Sequence, residues 1–244
     1  MLIWVVLFIL VVLISFFLAL KSMADYREQP ANLTTTYSLF LIKKPEALTV
    51  ELLEQVYRKL LSEGFILALE RLFKGGKTAL VVFGPVEHLL HYNTILGLLE
   101  LEDYSRKSKA VTLAWEIGIK KSATTDKLEQ LFEKIPVLEQ DEELWWQLIL
   151  QPQKPGPEQS LFRAAVRVVI QAADEKKARL LKQKIIDAIV AHGLVQLPQT
   201  YTDDQILNFY KDRAFHPAHL LDSTVSLGES FPVGSKQVLL LLKR

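Results

Sequence analysis

From Leu2 to Leu20 the chain reads LIWVVLFILVVLISFFLAL, in which Ser15 and the Trp4 ring nitrogen are the only polar side-chain groups. At about 1.5 Å of rise per residue, a helix over this run matches a hydrocarbon core about 30 Å thick. In lipid only a helix, with its backbone bonded internally, crosses as a single segment. A cleaved leader needs a basic start and a shorter apolar core of about 7–15 residues. Here the apolar run begins directly after Met1, and the small residues between Leu18 and Ala24 make only a weak cleavage site. The run therefore reads as a retained transmembrane anchor over residues 1–22, with a polar linker over 23–34 that contains Pro30. Lys21, Arg27, Lys43 and Lys44 follow the run and no basic side chain precedes it. The positive-inside bias then predicts a single-pass protein of the inner (plasma) membrane, held in lipid through residues 2–20, with its C-terminal body in the cytoplasm.

The rest of the 244 residues suffices for one large or two small domains with cores of their own. There is no cysteine, which excludes a disulfide framework, a thiolate zinc site and a cysteine nucleophile. With 29 basic and 28 acidic side chains, the chain carries no global signature of nucleic-acid binding.

Residues 35–42 are β-rich and read as a strand. Over Thr49 to Glu63, apolar residues recur at helical spacing between a Thr49 cap and Gly64. The runs 65–73 and 77–83, joined by Lys74-Gly75-Gly76, read as a hairpin. Pro85 opens a helix over about 86–98, and 110–119 is a further strand. This β-α-β-β-α-β order predicts a ferredoxin-like, split-βαβ unit over 35–120. A second such unit follows over 121–244, with the strand at 110–119 open to sharing. Its elements are a helix over 124–134, strands over 144–151 and 161–171, a helix from Asp174 to His192, a shorter helix over 203–213 and a terminal strand over 237–242. The predicted fold class is α+β: an N-terminal transmembrane helix followed by two ferredoxin-like antiparallel-sheet units.

Few motifs carry chemistry. Gly75-Gly76-Lys77-Thr78 looks like the end of a phosphate-binding loop, but Arg71 stands where the first glycine is needed, and Ala79 to Phe83 reads as a strand rather than a helix. The pairs His88/His91 and His216/His219 lack the His-Glu-x-x-His pattern and read as surface or turn histidines. No nucleophile, base or oxyanion donor emerges, so no catalytic, cofactor-binding or metal-binding residue is assigned and no cofactor is expected. A candidate interaction surface does emerge. Arg163 and Arg167 share one face of the strand 161–171, and the next helix carries Lys176, Lys177 and Arg179. Of the adjacent Trp145 and Trp146, one points inward and one outward; the outward ring is either an interface anchor or buried under a neighbouring loop.

Several stretches together resemble one family. Leu144 to Pro152 (LWWQLILQP) resembles the Trp-x-Gln-x-Ile-x-Arg-Pro strand that precedes the motor in conjugation-type ATPases of type IV secretion systems, especially membrane-anchored forms from small-genome bacteria. Gln151 stands where that family often has Arg. Phe162 to Val169 (FRAAVRVV) resembles the arginine-bearing strand after it, and Asn208-Phe209-Tyr210 with Arg213-Ala214-Phe215 resembles its Asn-x-Phe and Arg-x-Phe segment. Leu101-Glu102-Asp103-Tyr104 is similar to its Val-x-Asp-Tyr end of the first unit.

In that family a motor with a phosphate-binding loop follows this region, whereas here the sequence runs to Lys243-Arg244 without one. The resemblance thus implies a non-enzymatic, membrane-anchored scaffold or docking subunit of a secretion or conjugation machine, either split off or a degenerate copy. Its protein partner is a separate motor ATPase or another secretion subunit. The alternative is an independent membrane-tethered module of the cell envelope that binds a small ligand or nucleic acid, with nucleic acid the less favoured partner.

Overall fold

A single antiparallel sheet of nine strands runs through the described part of the chain. The computed structural model describes residues 12, 35–106, 111–119, 128–153, 161–214 and 231–242. The strands are β1 (Tyr37–Ile42), β2 (Leu67–Lys74), β3 (Lys77–Pro85), β4 (Leu98–Leu101), β5 (Val111–Ile119), β6 (Glu143–Pro152), β7 (Phe162–Ala172), β8 (Leu194–Gln196) and β9 (Phe231–Val233). Their order across the sheet is β4-β1-β3-β2-β6-β7-β5-β8, with β9 pairing onto the start of β7. The order is palindromic in kind: each half places its fourth, first, third and second strand from rim to centre. The halves meet where β2 pairs antiparallel with β6, from Leu67↔Leu150 to Lys74↔Glu143.

The helices are α1 (Val50–Glu63), the short α2 (Val86–Leu90) and α3 (Asn93–Leu96), α4 (Glu175–Ala191), α5 (Asp203–Asp212) and α6 (Ser235–Leu240). The Thr49 hydroxyl accepts from the Leu52 N–H at 3.3 Å, and Gly64 at φ 73° ends α1 with its N–H on the Leu60 carbonyl. The Asp174 carboxylate caps α4 through the Lys177 N–H at 2.8 Å. Thr202 and Gln205 form a reciprocal capping box on α5. Each cap satisfies N–H groups that the first helical turn leaves without partners.

Period-2 alternation divides the sheet residues between two faces. One face carries Leu69, Trp146, Leu148, Val166 and Val168, packed with Leu52, Leu53 and Leu60 of α1 and Leu181, Ile185 and Ile189 of α4 in one core that spans both halves. The other carries Trp145, Val169 and Ala114 under Ile206, Leu207 and Tyr210 of α5.

This architecture corrects the predicted fold class. In place of a transmembrane helix followed by two antiparallel-sheet units, the described chain is a mixed α/β body on one large sheet. The β2–β6 ladder removes the boundary, because β2 has a strand on either side and is buried along nearly all its length. The strand at 110–119 is not the last of the first half. That place is held by β4, which starts after Gly97 turns the chain at φ 62°. Residues 237–240, expected to begin the terminal strand over 237–242, lie instead in α6 (Ser235–Leu240).

The predicted membrane placement is corrected as well. Among the described residues no helix is long and apolar enough to cross a membrane. A spanning helix needs about 20 mostly apolar residues, whereas α1 has 14 and α4 has 17, both with a charged face. A single-pass protein with a cytoplasmic body is therefore not supported. The run 2–20 lies outside the described residues apart from Val12, as do the linker 23–34 and residues 124–127 of the helix expected at 124–134, whose described remainder holds a 3-10 turn at Leu131–Glu133.

Gly75 and Gly76, at φ 49° and 74°, form the two-residue turn that joins β2 to β3, with Lys74 opposite Lys77. Lys77 therefore begins a strand, and no helix N-terminus is present there to cradle a phosphate.

One core should give one cooperative transition. Thermal unfolding of the full chain, followed by tryptophan fluorescence and far-ultraviolet circular dichroism, is expected to give coincident midpoints. Leu69→Ala on β2 should lower both together. Separate midpoints, with only one moved, would contradict the shared core.

Candidate functional site

Glu70, Gln147, Arg167 and Glu116 lie side by side across β2, β6, β7 and β5, as the register pairs Glu70↔Gln147, Gln147↔Arg167 and Glu116↔Arg167 show. Residues opposite one another in a ladder share a face, so four polar side chains form a row across the centre of the sheet. Glu70, Gln147 and Arg167 are each 0% exposed and Glu116 is 7%. The same row continues into the first half as Val81, Leu41 and Leu99, so it is polar on one side of Glu70 and apolar on the other.

A buried charge is tolerated only when paired and hydrogen-bonded, and the segment Asp203 to Ala214 supplies much of what the row needs. Gln147 Nε2 donates to Glu70 Oε1 and to the Tyr210 carbonyl, both at 2.8 Å. Arg167 Nε donates to Glu116 Oε1 at 3.0 Å, and its Nη1 donates to the carbonyls of Phe209 at 3.0 Å and Ala214 at 2.6 Å. The end of α5 thus points carbonyl oxygens at a buried guanidinium, the favourable pole for a cation. Arg213 closes the other end. Its Nε donates to Glu70 Oε1 at 3.0 Å, while Nη1 and Nη2 straddle the Asp103 carboxylate at 3.0 and 3.1 Å. Tyr104 donates its hydroxyl to Glu70 Oε2 and shares a 2.7 Å hydrogen bond with the Tyr210 hydroxyl.

These surroundings set the ionisation states. Burial raises the Asp103 carboxyl, but hydrogen bonds from Arg213 and Ser105 and the Arg213 charge outweigh it and hold the group below the usual carboxylate range. Burial, reinforced by the Glu70 charge, pushes both the Tyr104 and Tyr210 phenols well above theirs. Burial works against the Arg213 charge, yet Glu70 and Asp103 prevail, so it holds its proton more firmly than usual. Most of these donors and acceptors meet one another, Gln147 Oε1 being a buried acceptor without a partner among the described residues, and what the arrangement does chemically is clamp α5 and the Asp103–Tyr104 turn onto the sheet. Among the described residues no group of three or more His, Asp or Glu is placed to hold a metal ion.

The structure separates the residues of the candidate interaction surface. Trp145 and Trp146 do point to opposite faces, but both are buried, at 2% and 0% exposure. Trp145 lies against Tyr104 and Tyr210, and Trp146 against Phe132. Arg167 belongs to the buried row, not to a basic outer face. Arg163 is exposed near the start of β7, on the α5 side of the sheet. The helix α4 packs on the opposite face. There Lys176 is exposed, Lys177 pairs with Glu139 at 2.8 Å and Asp141 at 3.1 Å, and Arg179 pairs with Glu175 at 2.6 Å. Arg163 and the basic residues of α4 therefore cannot form one patch. His88 contacts the Glu63 carboxylate, while His216 and His219 lie outside the described residues.

Glu70 and Glu116 escaped the sequence reading, while Tyr104 and Tyr210 entered it only within the stretches that carry the resemblance, with no role assigned. The available signal was a charge inside an apolar strand, in LALERLF and in AWEIG. No protein-family model matches the chain, and no curated protein is significantly similar to it.

Two outcomes test the row. Arg167→Ala should cost about 3–5 kcal/mol in chemical denaturation, because it leaves Glu116 buried without its cation. Arg167→Met combined with Glu116→Leu should recover much of that loss; equal losses would show that charge pairing is not what holds the row. For pH, a depressed native pKa stabilises fully above the unfolded value, about 3.9 for Asp, and the contribution is lost as pH falls through the native value. Acid titration of stability should therefore lose a component below about pH 4 in the parent and not in Asp103→Asn. Superimposable acid limbs would contradict the assignment.

Proposed function

We propose that this protein is a non-catalytic scaffold or docking subunit of a transport machine of the type IV secretion and conjugation kind, and that it recruits a separate motor ATPase. One observation carries the reading. The stretches by which the chain resembles the pre-motor region of that family all bring residues to the same buried row: Asp103 and Tyr104, Gln147, Arg167, Phe209 through its carbonyl, and Arg213. Residues scattered over more than a hundred positions thus serve one clamp, as suits a module whose task is to hold a shape.

The test is direct reconstitution. The full-length chain, co-expressed with the conjugation-type motor ATPase encoded in the same genome, should co-elute with it on size exclusion. The basic side chains on the two sides of the sheet then locate the contact. Either Arg163→Glu or the pair Lys176→Glu with Arg179→Glu should weaken the complex, and neither should change the melting temperature. Failure of the parent protein to form any complex with that motor would overturn the reading.

A further inference from the structure

The two rims of the sheet are not equally protected. An edge strand presents a row of unpaired N–H and C=O groups, and shortness, charge or a covering element keeps other chains from joining it. At one rim β4 has four residues, Leu98 gives its N–H to the Asn93 side chain at 2.8 Å, and Glu100 puts an exposed charge on the edge. At the other rim β8 has three residues and covers the nine-residue β5 only from Ile117 to Ile119. The line of β8 runs one residue further, where the Leu197 N–H donates to the Glu116 carbonyl at 3.0 Å. Beyond it, Asp203 accepts from the Ala114 N–H at 3.4 Å. Backbone groups alternate in direction along an antiparallel strand, so those of Thr112 face the same way as those of Glu116 and Ala114. Among the described residues no strand lies against Val111 to Leu113 on that side. These three residues carry neither charge nor proline.

The open edge borders a groove of about 930 Å³. Thr112 and Leu113 line one side of it, and Asp204, Leu207, Asn208 and Lys211 of α5 line another. Their spacing of three, four and seven residues puts the four on one side of the helix. Asp204 is exposed in the first turn, next to the Asp203 that meets Ala114, while Lys211 stands two turns further on. With β8 on the same edge and α5 alongside, the approach suits a single extended chain. The edge of a second whole sheet, bringing its own helices, would meet α5 and β8 first.

We propose that the free edge of β5 is a docking site for an extended peptide of a partner protein. The peptide adds as a strand beside Val111 to Leu113, continuing the line of β8, and turns a basic side chain toward Asp204. Main-chain hydrogen bonds hold such a strand, and its alternate side chains select it. The proposal concerns how a partner's chain is gripped. It stands whether or not that partner is a motor ATPase, and a synthetic peptide tests it apart from the reconstitution.

Amide NMR of the full-length chain tests it, with the capped peptide Thr-Val-Lys-Val-Thr as the probe and Thr-Val-Glu-Val-Thr as its charge-reversed counterpart. The lysine probe should give saturable shifts at Thr112 and Ala114, slow hydrogen exchange at the Thr112 N–H, and bind about three- to fivefold more tightly than the glutamate peptide. Thr112→Pro removes a donor that faces out of an edge, where proline is tolerated, and should abolish these shifts. Asp204→Lys alters an exposed side chain and should reverse the preference between the two peptides without moving the melting temperature. Absence of saturable shifts along Val111 to Ala114, or equal affinity of the parent protein for both peptides, would overturn the proposal. So would a parent protein that is a dimer and becomes a monomer on Thr112→Pro, which would give the edge to a second copy.

Discussion

A carboxylate with no access to water on a central strand is tolerated only if cations and donors are brought to it. Glu70 is served by Arg213 from the end of α5, by Gln147 from β6 and by Tyr104 from the turn after β4. The partners come from both halves of the chain, and the longest link joins positions 143 residues apart. The ion pair thereby ties the strand at the seam to the helix that covers the second half. The requirement reaches into the backbone. Arg213 has φ 51°, the sole positive value at a non-glycine position among the described residues. Glycine or asparagine would adopt it more readily at a helix end, but neither could span Glu70 and Asp103 with a guanidinium. The local strain is held by the network it completes.

The parts of the fold that were legible in the sequence rest on local signals. The Thr49 and Asp174 caps, the Gly64 stop and the Gly-Gly turn all depend on residues within a few positions of one another, and the structure has each in place. What was not legible depends on long-range pairing. Nothing local tells β2 that its second neighbour is β6, since an edge strand and a central strand can carry the same alternating pattern. Leu98–Leu101 was too short to stand out from a helical pattern that α2, α3 and the Gly97 turn break up. Arg167, and one of Trp145 and Trp146, looked outward-facing because alternation says which residues share a face, not whether a later helix will cover that face. It is α5, some forty to sixty positions downstream, that turns a basic face into a buried row.

The two halves share a strand order but not a chemistry. Along one line of register the first half places Val81, Leu41 and Leu99 where the second places Gln147, Arg167 and Glu116. Shared topology means that each half closes its hydrogen-bond ladders the same way, while the side chains on the common face have parted. The polar half is sealed by α5 and its carbonyls. On the apolar half Leu99 remains 45% exposed at the rim. A hydrophobic face needs only coverage, whereas an ionic one needs partners at set positions, so the second half is the more tightly specified of the two.

The uninterrupted path from β4 to β8 has a geometric consequence. Neighbouring strands in a sheet rotate by roughly 20–25° about the sheet's long direction, so over this path the rotation accumulates to about 150°. The two rims of the molecule are thus turned almost head over heels relative to each other, like the tips of a half-twisted propeller blade. A rigid, flat partner that lies along the β4 rim cannot also lie along the β8 rim. Any assembly that uses both must wind around the molecule or bring a separate component to each end.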